Sequence, residues 1–91
     1  SGVSNDIDTR RRRAAYRAAH RGTKEMDLVL GRFAELHLPE MAETELGLFE
    51  ELLLQADPEL QDFIWGAASA PPRFAGLVAE IRAFHRLDPA R

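Results

Sequence analysis

Six arginines at positions 10, 11, 12, 13, 17 and 21 crowd the start of the chain. Arg13, Arg17 and Arg21 recur every four residues, a spacing that sets them on one side of a helix. Such a row suits a solvated helix face, the phosphates of a nucleic acid or an acidic groove on a protein. No recognition-helix pattern and no interleaved aromatics accompany it, so nucleic acid ranks last. The stretch from Arg21 to Glu25, Arg-Gly-Thr-Lys-Glu, holds the most specific chemistry. Gly22 permits a sharp helix–helix corner with positive φ and nothing projecting from it. Arg21 and Glu25 flank that corner with opposite charges. The spacing fits a C-cap glycine beside a local ion pair. It also fits a small concave contact point for another macromolecule.

Other reactive residue types are scattered. His20, His37 and His85 fall near expected helix ends, where a C-terminal dipole favours them. None pairs with another at helical spacing, and zinc needs three or four convergent ligands. Ser4 and Ser69 lie in an expected tail and linker. Thr9, Thr23 and Thr44 read as caps. With no cysteine, disulfides, thiolate metal sites and a thiol nucleophile are excluded together. The six glycines form no phosphate-cradling loop. No catalytic, cofactor or metal residues are therefore assigned, and the expectation is a protein-binding module rather than an enzyme.

These residues must be positioned by helices. Turn signals fall at Gly22, at Leu38 and Pro39, at Asp57 and Pro58, at Gly66, and at Pro71 and Pro72. Between them apolar residues recur at helical spacing. The first segment, 7–20, is weakly amphipathic, with Asp6 or Asp8 as cap. The second, 23–37, places Met26, Val29, Leu30, Phe33 and Leu36 on one face, with Thr23 as N-cap. The third, 43–55, carries Leu46, Phe49, Leu52 and Leu53. Its N-cap position falls on Ala42, although Glu45 can supply half of a capping box. The fourth opens with Asp57 as N-cap and Pro58 at the first helical position, buries Leu60, Phe63 and Ile64, and stops at Gly66. The fifth, 72–86, aligns Phe74, Leu77, Val78, Ile81 and Phe84, and Asp88 and Pro89 end it. No alternating run suggests a strand. The expected fold is an all-α bundle of about five short helices over residues 7–91, preceded by a disordered tail at 1–6. Residues 67–71 form the longest linker, so the docking of the fifth helix is the least determined.

Ninety-one residues make one domain with one modest core. Hydrophobic residues at 45% and charged residues at 30% give a folded, soluble balance. The net charge of −3 conceals a strong polarity. Residues 1–32 carry eight basic and four acidic side chains, and residues 33–72 carry nine acids and no Lys or Arg. Residues 73–91 return to a small excess of arginine. Two electrostatic faces suit steering toward a protein partner. No apolar run approaches the ~20 residues of a membrane span, and the opening has no apolar h-region. A monomer when free is expected, and the absence of cysteine fits a reducing compartment.

The residues Arg11-Arg12-Arg13, Tyr16-Arg17, Arg21-Gly22-x-x-Glu25-Met26-Asp27, Leu30, Phe33 and Asp57-Pro58-Glu59-Leu60 resemble the succinate dehydrogenase assembly (flavinylation) factor family. The resemblance covers about residues 10–66. The chain departs from the pattern at Gln61, where an aromatic is common, and at Phe63, where tryptophan is frequent. It implies a chaperone that binds the flavoprotein subunit of succinate dehydrogenase, and in bacteria that of fumarate reductase. That chaperone promotes covalent attachment of the partner's FAD and binds none itself. It further implies partner contacts at Arg21, Gly22 and Glu25, with Arg13, Tyr16 and Arg17 on the preceding helix. A basic-helix nucleic-acid-binding regulator is the alternative.

Overall fold

The computed structural model describes residues 2–66 and 69–87. Among them are five α-helices and no strand: α1 (Gly2–Ala19), α2 (Lys24–His37), α3 (Glu43–Leu53), α4 (Asp57–Trp65) and α5 (Pro72–Leu87). A 3-10 turn, Leu38–Glu40, joins α2 to α3. The helical backbone of α1 extends back through residues 2–6, for which the sequence suggests a tail. Once a turn is nucleated, each further residue adds a backbone bond at little cost. Asp8 therefore lies inside α1, where it pairs with Arg11 at 3.3 Å, rather than capping its start.

The close α1–α2 contact is built from small residues. Ala14 and Ala18 are buried. Gly31 of α2 sits so near α1 that a Cβ there would lie 3.1 Å from the Ala19 Cβ. Against this pair pack Met26, Val29, Leu30 and Phe33 of α2, then Leu46, Phe49, Leu52 and Leu53 of α3. Leu60 and Ile64 of α4 and Phe74, Leu77, Val78 and Ile81 of α5 complete one continuous core.

The helix starts follow their caps. Thr23 takes extended backbone and its side chain accepts a hydrogen bond from Met26 N at 3.3 Å. Ala42 is the N-cap of α3 and offers no side-chain acceptor, while Glu45 Oε1 accepts from Ala42 N at 3.0 Å. Two expectations need correction. Asp57 is the first residue of α4 and Ala56 its N-cap, because the Asp57 carboxylate is drawn away to Arg21. Leu36 is 55% exposed. It lies at the margin of the α2 stripe, and Ala34 and the half-buried His37 take its place facing inward.

α5 docks by the apolar face that the spacing predicts, and two polar side chains outside that face, Arg82 and His85, fix it to the end of α4. Arg82 donates to the carbonyls of Phe63 (2.7 Å) and Gly66 (3.2 Å), which end α4. Trp65 Nε1 donates to His85 Nε2 at 3.0 Å. Phe84 meets the Phe33 ring edge-on at 5.7 Å. The stop expected at Asp88 and Pro89 lies outside the described residues, as do residues 67 and 68 of the linker.

Candidate partner-binding site

The corner between α1 and α2 is built by two carboxylates. α1 ends at Ala19, and Gly22 has φ of 129°, a region open to glycine and strained for any L side chain. Asp27, in the first turn of α2, accepts from the backbone N–H groups of both Arg21 and Gly22, the latter at 3.1 Å. This places a negative charge at the α2 N-terminus, where the dipole favours it, and folds the chain back over that helix start.

The second carboxylate is Asp57. Arg21 donates from Nε to Asp57 Oδ1 at 3.0 Å, and its Nη2 lies 2.9 Å from the same oxygen. Nη1 donates to the Leu53 carbonyl at 2.6 Å and Nη2 to that of Gln55 at 3.0 Å. The Arg21 side chain is only 13% exposed. A Cβ on Gly22 would lie 3.4 Å from Asp57 Oδ2. The α1–α2 corner and the α3–α4 turn are thus adjacent surfaces joined by one guanidinium.

Each expected site residue has a definite place. Gly22 and Glu25 are exposed at the corner, and among the described residues no hydrogen bond or ion pair engages the Glu25 side chain. Arg13 and Arg17 are exposed neighbours on α1. With Thr9, Arg12 and Tyr16 they line a shallow depression of about 320 Å³. Tyr16 is 66% exposed. Its ring stacks on His20 at 4.0 Å, and His20 Nδ1 donates to the Tyr16 carbonyl at 2.8 Å. Arg21 does not continue the Arg13 and Arg17 row, because α1 ends two residues before it and its guanidinium turns inward. Nor does it pair with Glu25: its ion pair is with Asp57.

Two residues essential to this geometry carry no local signal of their role. Asp57 stands thirty-six positions from Arg21 and reads as a helix cap. Asp27 reads as a first-turn acid, and only the corner's return shows what it accepts. Arg10 was likewise indistinct within its run. It donates to Glu50 at 2.7 and 3.1 Å and to Glu43 at 3.3 Å. The Glu50 hydrogen bonds chiefly, with the attraction of Glu50 and Glu43, raise its pKa above the ordinary arginine value against the effect of burial. Among the described residues, no three His, Asp or Glu side chains are grouped to hold a metal ion. The arrangement offers exposed charge, an exposed aromatic ring and an unobstructed backbone corner, which are means of recognition.

Comparison with known proteins gives the same direction. A family described as "Flavinator of succinate dehydrogenase" matches residues 12–85. That match continues past residue 66, the end of the sequence resemblance, through most of α5. The "FAD assembly factor SdhE" of Acetobacter pasteurianus is 43% identical over 72 residues, covering 78% of this chain and 66% of the relative. The mitochondrial "Succinate dehydrogenase assembly factor 2" of Dictyostelium discoideum is 33% identical over 86 residues, 93% of this chain and 61% of that protein. Its Caenorhabditis elegans counterpart is 43% identical over 47 residues, 52% of this chain and 40% of the relative. The chain thus spans less than two thirds of the length of these curated relatives.

Proposed function

The chain belongs to the family of flavinators of succinate dehydrogenase, and we propose that it is an assembly factor promoting covalent attachment of FAD to the flavoprotein subunit of that enzyme. The family match over residues 12–85, which takes in the whole corner, α2 to α4, the C-terminal part of α1 and most of α5, carries this reading. The chain's part is recognition. It binds the flavoprotein and holds it in the arrangement in which its own histidine and FAD react, and orientation alone is a substantial source of rate. The flavoprotein of fumarate reductase, with the same chemistry, is a second client. FAD remains the partner's cofactor, and the chain holds none itself. The place of action is the cytoplasm in a bacterium and the mitochondrial matrix in a eukaryote.

The contact surface in this reading is the corner at Gly22 and Glu25, supported by Arg21, and the adjoining α1 face with Arg13, Tyr16 and Arg17. Gly22 lets the partner backbone approach closely. Glu25 accepts from partner donors, and Arg13 and Arg17 meet partner acids. Placement of the acidic middle segment disfavours the nucleic-acid alternative. Glu43 and Glu50 lie against Arg10, and Asp57 lies against Arg21, so carboxylates stand beside the basic helix and repel phosphate.

The test is co-purification with a tagged flavoprotein subunit, followed by denaturation and measurement of flavin retained on the polypeptide. A stable complex with more covalent flavin than the subunit acquires alone is expected. No complex and no added flavin contradicts the reading. Calorimetry with free FAD separates a chaperone from a flavin carrier: no saturable heat is expected, and stoichiometric tight binding contradicts the chaperone role.

A further inference from the structure

Resting on the proposed function, we infer that Arg21 is a positioning residue rather than a partner contact, and that it acts through Asp57 to join the α1–α2 corner and the α3–α4 turn into one contact surface. Its guanidinium is directed into the molecule. Of its donors, Nε, Nη1 and Nη2 are all engaged within the chain, on one carboxylate and two carbonyls. Guanidinium geometry matches such a divergent set of acceptors, whereas an ammonium can reach only part of it. The carbonyls belong to Leu53 and Gln55, on either side of Leu54, so the turn is held from below while the Leu54 side chain stays 70% exposed. The same Asp57 stands behind Gly22. Loss of the pair frees the turn to move relative to the corner. The residues of the motif left to face a partner are Gly22 and Glu25.

A double-mutant cycle read in partner affinity tests this. The variants are Arg21→Lys, Asp57→Asn and the two together, chosen because each keeps size and polarity. Affinity for the flavoprotein subunit is measured per folded molecule, with helical content and melting temperature recorded in parallel. Each single variant is expected to weaken binding about tenfold, and the double variant no more than either single one, the behaviour of coupled residues. Independent partner contacts would instead multiply to about a hundredfold, and that result overturns the inference. Unchanged affinity in both single variants, with only a lower melting temperature, overturns it too, since the pair would then serve stability alone. Glu25→Gln is measured alongside. If Glu25→Gln and both single variants leave binding intact, the corner is not the contact surface. If the wild-type chain fails to bind the flavoprotein, the proposed function itself fails and takes the inference with it.

Discussion

The arginines of the opening run divide into two sets according to the side of the molecule they meet. Arg10, Arg11 and Arg21 are spent inside the fold. Arg10 pairs with Glu43 and Glu50, Arg11 bonds Asp8 and the Met41 carbonyl, and Arg21 holds Asp57 and the α3–α4 turn. Arg12, Arg13 and Arg17 are exposed, and among the described residues no hydrogen bond or ion pair engages their side chains. One residue type, within a few positions, thus performs two tasks. Which task falls to which arginine is set by the neighbouring acid or carbonyl that another helix presents. The inner set ties α1 and the corner to the acidic middle of the chain, and the outer set leaves uncompensated positive charge on a face that also bears Tyr16.

Adjacent positions on α1 break this comparison most strongly. Ala18 is fully buried against the core, and Arg17 beside it is exposed. Ala18→Arg forces an unpaired charge into that contact, at a cost of several kcal/mol. A domain with about 5–15 kcal/mol in total should lose most of its helical circular dichroism or melt far below the wild type. An Ala18→Arg protein that melts normally would show that α1 does not pack by this face.

The acidic side can be strengthened instead. Ala42 has the extended backbone of an N-cap but no acceptor, and Glu45 already supplies the reciprocal bond. Ala42→Ser is expected to raise stability by about 0.5–1.5 kcal/mol, read as a higher urea midpoint. An unchanged or lower midpoint would place the start of α3 elsewhere. On the outer face, Arg17→Gln should shift stability by no more than about 0.5 kcal/mol. It should nonetheless slow association with the flavoprotein and flatten its dependence on salt, because exposed charges act mainly on encounter. A large loss of stability with unchanged association would reverse the assignment of the two faces.

The helices and most of the core were legible because apolar spacing is a local property. Thr23, Ala42 and Gly66 marked the boundaries for the same reason. The Arg21–Asp57 pair was not legible, since its partners are far apart in sequence and Asp57 before Pro58 has the look of a helix cap. Leu36 was misplaced because spacing alone does not say how wide a stripe the neighbouring helices cover. The apolar face of α5 is legible in the same way, but its polar anchors, Arg82 on the end of α4 and His85 on Trp65, follow no apolar period. At the candidate site, residue types and order pointed to the corner. The direction in which each side chain faces came only with the fold.

The central claim is that the Gly22 corner is where the chain meets the flavoprotein. It is tested most directly by covalent flavin on the purified subunit after incubation with wild-type, Gly22→Ala or Gly22→Arg protein, with melting temperatures measured in parallel. At a φ of 129° either side chain costs about 1–3 kcal/mol of strain, which the fold should survive. Only arginine adds further bulk and charge at the corner, where a Cβ would lie 3.4 Å from Asp57 Oδ2. The expected result is a folded Gly22→Arg that adds no covalent flavin, with Gly22→Ala retaining part of the wild-type effect. A folded Gly22→Arg that supports full flavin attachment would contradict the account.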